Sequence, residues 1–353
     1  MSPTTQKALI LEKKFGNYVV ASSFPVPKPK KDEVLVKIHA AALNPIDWKV
    51  QKTETYSSLL DIYPSVLGEN VAGEVVELGE GVSELVIGDR VFFEGVLNQS
   101  EHNGYQEYTT ADVLTLAKIP SKISYEEAAS FPTVLTTAYV GLYNARPHGL
   151  GFEPPVTEAG KGKYAGVPLV IIGGSSSVGQ FVIQLAKLSG FSPIITTSSL
   201  KHEEYLKSLG ATHVLDRHEP LTTERIQSIT DLPIKAIYDA ISDSESQDRN
   251  LDLLAPGGDF AIVLFPEPKL VERASKENKR LSVVIAVKVL PENVQVVRQA
   301  WPHFEPWLEN GDIKPLRVDI LPGGLNGVVD GLKRMEDGKV SRVRLVVRPQ
   351  ETA

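Results

Sequence analysis

The sequence predicts an α/β protein in which a doubly wound parallel sheet is joined to a second, mostly-β part. Three observations carry this. From Val167 onward, short apolar strands alternate with helical segments, the pattern of parallel strands joined by helices. Before Ile123 the chain instead reads as short strands and turns, with VLVKIHAAAL, VAGEVVELG and DRVFFEG following strand alternation. Near the end, GLNGVVDGLKRMEDGKVSRVRLVVRP reads as helix, turn and strand. Pattern alone assigns that last strand no partner in the parallel sheet.

The elements follow in order. PVPKPKKDE is a proline-rich loop between early strands. SYEEAASFPTVLTTAYVGLYN reads as helix; Ser124 and Glu127 have the spacing of a capping box, and Pro132 should break or kink it. The Gly/Pro-rich segment PHGLGFEPPVTEAGKGKYAG reads as a surface excursion. VPLVII then leads to a helix, SPIITTS leads to the helix KHEEYLKSLG, and THVLD, KAIYDAI and GDFAIVL supply further strands. VVIAVKVL is expected to be an edge strand or an interface.

Composition narrows the function classes. A chain of 353 residues suggests about two domains. Hydrophobic content of 42% supports a buried core and excludes a disordered chain. The net charge of −7, with no basic block, argues against a nucleic-acid partner. No apolar run reaches the roughly 18–20 residues that span a bilayer, so no membrane partner is expected. MSPTTQKALIL lacks the basic and apolar regions of a secretory signal, and the expected location is cytoplasmic. Cysteine is absent, which excludes disulfides, thiolate zinc sites and cysteine nucleophiles. The seven histidines are scattered, none paired with another at metal-binding spacing.

VPLVIIGGSSSVGQFVIQLAKLSG is the most informative stretch. An apolar strand runs through a small-residue turn into an amphipathic helix. Small residues let the backbone approach a pyrophosphate, and the helix N-terminus offers it free N–H groups and a favourable dipole. Gly174 and Gly179 hold the first and third places of a glycine fingerprint and Ser176 the second, with Ser175, Ser177 and Val178 completing the turn. An NAD site would end its second strand with Asp or Glu, about 20 residues beyond, to hold the ribose 2′-hydroxyl. Here that strand ends in Thr196, Thr197, Ser198 and Ser199, then Lys201. Hydroxyls and a lysine suit a 2′-phosphate, so the expected cofactor is NADPH; Lys201 could equally be a solvated helix-start residue. Arg217 is a further candidate for that phosphate. Asp239 ends a strand at the edge where such sheets bind ligands, or caps the next segment.

LNPIDWK, PSVLGENVAGEVVELGEGVSELVIGDRV, FPTVLTTAYVGL, GGSSSVGQFVIQLAKLSG, LGATHVLD and GKVSRVRLVV stand in this order along nearly the whole chain. In them the sequence resembles the medium-chain dehydrogenase/reductase superfamily. It is most similar to the zinc-free quinone oxidoreductase and enoyl reductase branch, including fungal stand-alone enoyl reductases. The resemblance implies a discontinuous GroES-like catalytic domain, residues 1–128 and 300–353, with a Rossmann NADPH-binding domain, residues 129–299, inserted. The tail strand would then return to the first domain. Zinc alcohol dehydrogenases place a cysteine where this chain has Leu43 or Asn44, and Gly-His-Glu where it has Leu67, Gly68 and Glu69. No metal site is therefore expected, and alcohol oxidation through a zinc Lewis acid is disfavoured.

The expected activity is NADPH-dependent, zinc-independent reduction of an activated C=C bond in an enone, enal or enoyl thioester. Alternatives are a quinone reductase and a non-catalytic NADPH-binding protein. By resemblance, the loop with Asn44, Pro45, Asp47 and Lys49 faces nicotinamide and substrate. Asn44 could donate to an enolate and Lys49 could stabilise an anion, although Asn44 and Asp47 around Pro45 also suit a simple turn. Tyr56 or Tyr63 could supply a proton or wall the pocket. Thr133 and Thr137, with Thr136, would line the nicotinamide pocket or cap a helix start. Leu264 and Phe265 would bound the nicotinamide or only pack. The expected partner is a small-molecule or carrier-bound enoyl substrate, with the chain a monomer or homodimer.

Overall fold

The computed structural model describes residues 3–353. The first third supplies eight strands: β1 (Thr5–Leu11), β2 (Tyr18–Pro25), β3 (Glu33–Ala42), β4 (Ser65–Val66), β5 (Asn70–Leu78), β6 (Arg90–Glu94), β7 (Tyr108–Asp112) and β8 (Leu116–Lys118). β2, β1 and β4 form a small antiparallel sheet. The others build a larger sheet around β3, whose alternating residues bury one face against the core. α1 (Pro45–Lys52) and the short α2 (Glu54–Ser57) fill the connection from β3 to β4.

The apolar strands of the middle third pair in parallel. β9 (Leu169–Ile172), β10 (Ile194–Ser198), β11 (His213–Asp216), β12 (Ala236–Asp239), β13 (Asp259–Ile262) and β14 (Arg280–Val283) lie in the order β11-β10-β9-β12-β13-β14. β9 is buried along its whole length, as a central strand covered on both faces must be. This is a Rossmann-like sheet beside a GroES-like antiparallel part.

The tail closes the antiparallel part. β15 (Val318–Ile320) runs parallel to β16 (Arg344–Val347), and β16 runs antiparallel to β3, with Val346 opposite Ala42. Backbone pairing with β3 therefore supplies the partner that pattern alone left open.

Two helical expectations resolve differently. The stretch from Ser124 is two helices, α3 (Tyr125–Ala129) and α4 (Pro132–Tyr143), not one. Ser124 Oγ accepts the Glu127 N–H at 3.1 Å, and the Glu127 carboxylate accepts the Ser124 N–H at 2.9 Å. Pro132 has no N–H to donate and starts the second helix at its first position. VVIAVKVL is not a strand: only Val283 remains in β14, and the chain then leaves the sheet. There Lys288 places its buried ammonium against oxygens of the antiparallel part.

Helices α5 (Ser177–Leu188), α6 (Glu203–Leu209), α7 (Thr223–Gln227), α8 (Ser244–Leu253) and α9 (Pro268–Lys276) connect the parallel strands; α10 (Pro291–Asn310) and α11 (Gly327–Glu336) follow. One aromatic junction joins the two parts. Phe131, just before α4, meets Phe92 of β6 at 4.9 Å and Phe181 of α5 at 6.0 Å, while Trp301 of α10 meets Phe92 at 5.7 Å. Ring pairs at such spacings contribute beyond their buried area. The excursion at residues 145–166 has no helix or strand and is pinned by Phe152 and Tyr164 against Phe191.

α4 packs closely on the parallel sheet at Gly141, where an added Cβ would lie 2.5 Å from the Tyr238 hydroxyl oxygen. That hydroxyl donates to the Thr137 carbonyl at 2.9 Å, so the ring cannot move freely. Gly141→Ala should destabilise the fold by about 1–3 kcal/mol through overpacking, read as a lower denaturant midpoint with an unchanged slope.

Candidate active site

The fingerprint turn is tighter than the sequence suggests. Gly173, not Gly174, takes the left-handed backbone conformation, with φ 77°, which a side chain would disfavour. Its N–H donates to Thr197 Oγ at 3.0 Å. A Cβ on Gly174 would collide with Thr196 Oγ, and one on Gly179 with the Gly173 carbonyl. Ser176 caps α5 by accepting the Gly179 N–H at 3.0 Å. Ser177 and Val178 open the helix, leaving its first N–H groups at the turn. Backbone this close to an open helix N-terminus fits a dinucleotide pyrophosphate.

A cavity of about 570 Å³ lies beyond the strand ends, lined by Gly173, Ser175, Ser198, Arg217 and Ile241 among others. Ser198 Oγ is buried and has no hydrogen-bond partner among the described residues, so a donor and acceptor is free where a 2′-substituent would sit. Thr196 and Thr197 are not free: their hydroxyls bond the Ile171 carbonyl and the Gly173 N–H. Lys201 is exposed at the start of the following turn. Arg342, from the tail, went unnoticed in the sequence. Its guanidinium stands 4.3 Å from the Tyr205 ring centroid and 3.4 Å from His202 Nδ1. Burial, then Arg342, Lys201 and Arg217 in turn, push the His202 imidazole below its usual pKa. Three cationic side chains thus converge on one imidazole at the end of β10. Arg342 is held there at φ 57°, an uncommon conformation for a residue with a side chain.

Asp239 is fully occupied elsewhere. Its carboxylate accepts the N–H groups of Ile241 and Ser242 and the Ser246 hydroxyl, all within 2.9 Å. It shapes the loop bordering the cavity, and no oxygen of it remains for a ligand. Leu264 is half-buried after β13, and Phe265 is half-exposed.

A buried polar floor lies at the end of β3, where α1 begins. Asn44 precedes α1, and exposed Pro45 is its first residue. The Asn44 N–H donates to the Asp47 carboxylate at 2.7 Å, to which Tyr105 also donates at 2.6 Å. Tyr18 donates to the Asp47 carbonyl at 2.6 Å. Arg344 of β16 donates to Asn44 Oδ1. That bond fixes the amide, leaving the buried Asn44 Nδ2 without a partner among the described residues. Asp47 is therefore the organiser of this floor. Burial pushes its carboxyl up to about 6, against the opposing effects of Tyr105, the Asn44 N–H and Arg344.

Lys49 and Tyr56 come together and Tyr63 stands apart. The Lys49 ammonium lies 5.0 Å from the Tyr56 ring centroid and 5.9 Å from that of Trp48, and burial lowers its pKa. Tyr56 reaches across to Phe265 at 6.3 Å, so these residues bridge the two parts of the molecule. Tyr63 sits with Tyr18 and Lys14, its hydroxyl buried and unpartnered among the described residues. Thr133 donates its N–H to Asn70 Oδ1 at 2.8 Å, and the Thr137 hydroxyl returns to the Thr133 carbonyl at 2.7 Å. Beneath them lie two acids the sequence did not single out, Glu69 and Glu94. Burial, then the charges of Glu94 and Asp47, pushes Glu69 up to about 8, and burial pushes Glu94 up to about 7. Among the described residues, no group of three His, Cys, Asp or Glu side chains is placed to hold a metal ion.

Residues 30–121 match the family model described as alcohol dehydrogenase GroES-like domain, and residues 177–300 match that described as zinc-binding dehydrogenase. The chain is 32% identical over 322 residues to a trans-enoyl reductase of Aspergillus japonicus, covering 89% of each chain. It is 32% identical over 333 residues to a 2-methylene-furan-3-one reductase of Solanum lycopersicum, covering 93% of this chain and 74% of that one. The fold superposes on a quinone oxidoreductase of Coxiella burnetii with a TM-score of 0.73 and 26% identity, covering 97% and 99% of the two chains.

The buried acids give stability a pH signature. Asp47, Glu69 and Glu94 all hold protons more tightly folded than an exposed carboxylate does. The folded state therefore binds more protons than the unfolded one, and stability falls as pH rises from the ordinary carboxylate range through these raised values. Glu69→Gln cannot ionise, so it should be more stable than wild type near pH 9 by about 1–3 kcal/mol, with the gain vanishing by about pH 4. Thermal melts across pH read the crossing directly.

Proposed function

The chain belongs to the medium-chain dehydrogenase/reductase superfamily, and from that premise we propose that it is an NADPH-dependent reductase of activated C=C bonds in enones, enals or enoyl thioesters. The observation that carries the reading is the cleft floor, where two donors, the Asn44 amide and the Lys49 ammonium, stand on the element bridged by Tyr56 to the nucleotide side. The sequence positions at which zinc relatives carry Cys and His hold Leu43 or Asn44 and Gly68 instead.

NADPH, when bound, supplies a hydride equivalent. Ser175 to Gly179 would hold its pyrophosphate at the start of α5. Ser198, Lys201, Arg217 and Arg342 would hold the 2′-phosphate, and no carboxylate ends β10 to oppose it. Thr133, Thr137, Leu264 and Phe265 would border the nicotinamide. Asn44 Nδ2, its orientation set by Arg344, donates to the oxygen on which negative charge develops. Donors fixed in advance favour that charge without reorganising. Lys49 adds a nearby cation, and its partial burial strengthens the attraction. Tyr56, Trp48 and Phe265 supply apolar walls that exclude water.

The similarity to a quinone oxidoreductase supports a quinone reductase as the second reading. NADPH oxidation against enones, enals, enoyl thioesters and quinones separates the two. Chelator-resistant formation of a saturated product is the expected result; turnover of quinones alone would replace the proposal.

Arg342→Ala should raise KM for NADPH by about 10-fold or more, the size of one lost charge-assisted contact to phosphate, and leave KM for NADH nearly unchanged. Equal losses with both cofactors would remove Arg342 from the phosphate site.

A further inference from the structure

The helix that carries Tyr56 is a single turn. α2 spans only Glu54–Ser57, and so short a helix does not keep its shape unaided. On its N-terminal side it is tied to α1, where the Thr53 hydroxyl donates to the Lys49 carbonyl at 2.9 Å. The Lys14–Glu54 ion pair, 2.6 Å across, is exposed on both partners and contributes little. On the C-terminal side, the Leu59 and Leu60 N–H groups donate to the Tyr56 and Ser57 carbonyls at 3.0 and 3.2 Å. A contact that fixes Leu59 and Leu60 therefore fixes the end of the turn on which Tyr56 stands.

Asn98 supplies that contact from another loop. Its Oδ1 accepts the Asp61 N–H at 2.7 Å, and its Nδ2 donates to the Leu59 carbonyl at 2.8 Å. One amide thus brackets Leu60, whose side chain is buried in the core. The two bonds call for one acceptor and one donor on the same short side chain, which an amide provides and a carboxylate does not. The Asn98 backbone is left-handed, with φ 66°, a conformation that asparagine adopts more readily than most residues. The loop behind it is firmly tied. Buried Asn103 accepts the Val96 N–H at 3.0 Å and donates to the Val66 and Val96 carbonyls, each at 2.9 Å. Ser100 Oγ accepts the Val66 N–H at 3.0 Å. Residues 96–103 therefore grip the chain between α2 and β4 at Leu59, Asp61 and Val66.

We propose that Asn98 is a positioning residue for the substrate: it holds the end of α2 so that Tyr56 meets Phe265 and walls the cleft beside Lys49. The proposal rests on the C=C reading above. The path is continuous. Asn98 bonds Leu59, and the Leu59 N–H bonds the Tyr56 carbonyl. The Tyr56 ring in turn stands 6.3 Å from that of Phe265 and 5.0 Å from the Lys49 ammonium. Asn98 acts through Tyr56, not on the reacting atoms. None of these contacts involves the fingerprint turn or the end of β10. The effect of Asn98 therefore falls on KM for the C=C substrate and spares KM for NADPH.

The test uses the full chain with its best C=C substrate and compares wild type, Asn98→Gly, Tyr56→Leu and the double variant. Glycine enters the left-handed conformation freely, so Asn98→Gly removes both amide bonds without adding strain. It should raise KM for the C=C substrate about 10-fold, the size of two lost hydrogen bonds, and leave KM for NADPH unchanged. In the Tyr56→Leu background the same change should raise that KM by about 2-fold or less, because residues acting along one path are not additive. Amide hydrogen exchange of the protein without cofactor gives a readout independent of turnover. Exchange at residues 54–61 should quicken about 10-fold in Asn98→Gly, while residues 169–188 keep their wild-type rate and report an intact fold. Wild-type exchange at residues 54–61 in that variant would overturn the clamp. The full rise in KM in both backgrounds would overturn action through Tyr56. Equal rises in KM for substrate and for NADPH would overturn the substrate role. If wild type reduces no C=C substrate, the functional reading fails and takes the substrate role with it, while the exchange rates still decide whether Asn98 holds α2.

Discussion

The contact on which the cleft depends is the packing of Phe131 between Phe92 and Phe181. One ring joins the antiparallel part to the helix that opens the nucleotide site, and α4 begins at the next residue. Because this seam is apolar and closely packed, it transmits position without slack. The polar groups on either side keep fixed distances from one another. Lys288 on the parallel side can then satisfy its ammonium on Glu94 and Thr115, and Tyr56 can meet Phe265. A loose seam would admit water and return the raised pKa values beneath it toward ordinary carboxylate values.

That rigidity explains the concentration of costly groups. Asp47, Glu69, Glu94, Lys288 and Arg344 are all buried, and none of them strengthens a fold by being there. Asp47 has its charge answered by Tyr105, the Asn44 N–H and Arg344. It is a finished network and serves to hold Asn44. Glu94 is unfinished, with an oxygen lacking a partner.

Much of the fold was legible in the sequence, because its signals are local. VPLVII followed by GGSSSVG states strand, turn and helix within a dozen residues. The capping box at Ser124 and the start at Pro132 are likewise local. The site was less legible. Gly174 was read as the first glycine of the turn, but only the backbone shows that Gly173 takes the left-handed conformation. Asp239 was read as a ligand or as a cap of the next segment, and only the structure shows its carboxylate held by residues two to seven positions later. Glu69, Glu94 and Lys288 carry no local signal, since their proximity is created by strand pairing and by a segment crossing from the other sheet. Arg344 was hidden for the same reason, lying in a strand whose partner is near the opposite end of the chain, and Arg342, just before that strand, meets Tyr205 and His202 only through the fold. Two prolines inside α10, Pro302 and Pro306, masked a helix of 20 residues.

The hydrogen bond from Arg344 to Asn44 spans 300 residues, and it has a consequence for biosynthesis. β3 and α1 are made well before the strand that locks the Asn44 amide, which follows about 300 residues later. Chains emerge at about 5–20 residues per second, so for many seconds the early strands wait with an open edge where β16 will pair. During that interval the molecule has a nucleotide-binding turn but no finished floor. Synthesis therefore orders the two halves of the site in time, and the Asn44 amide is locked only once β16 has been made.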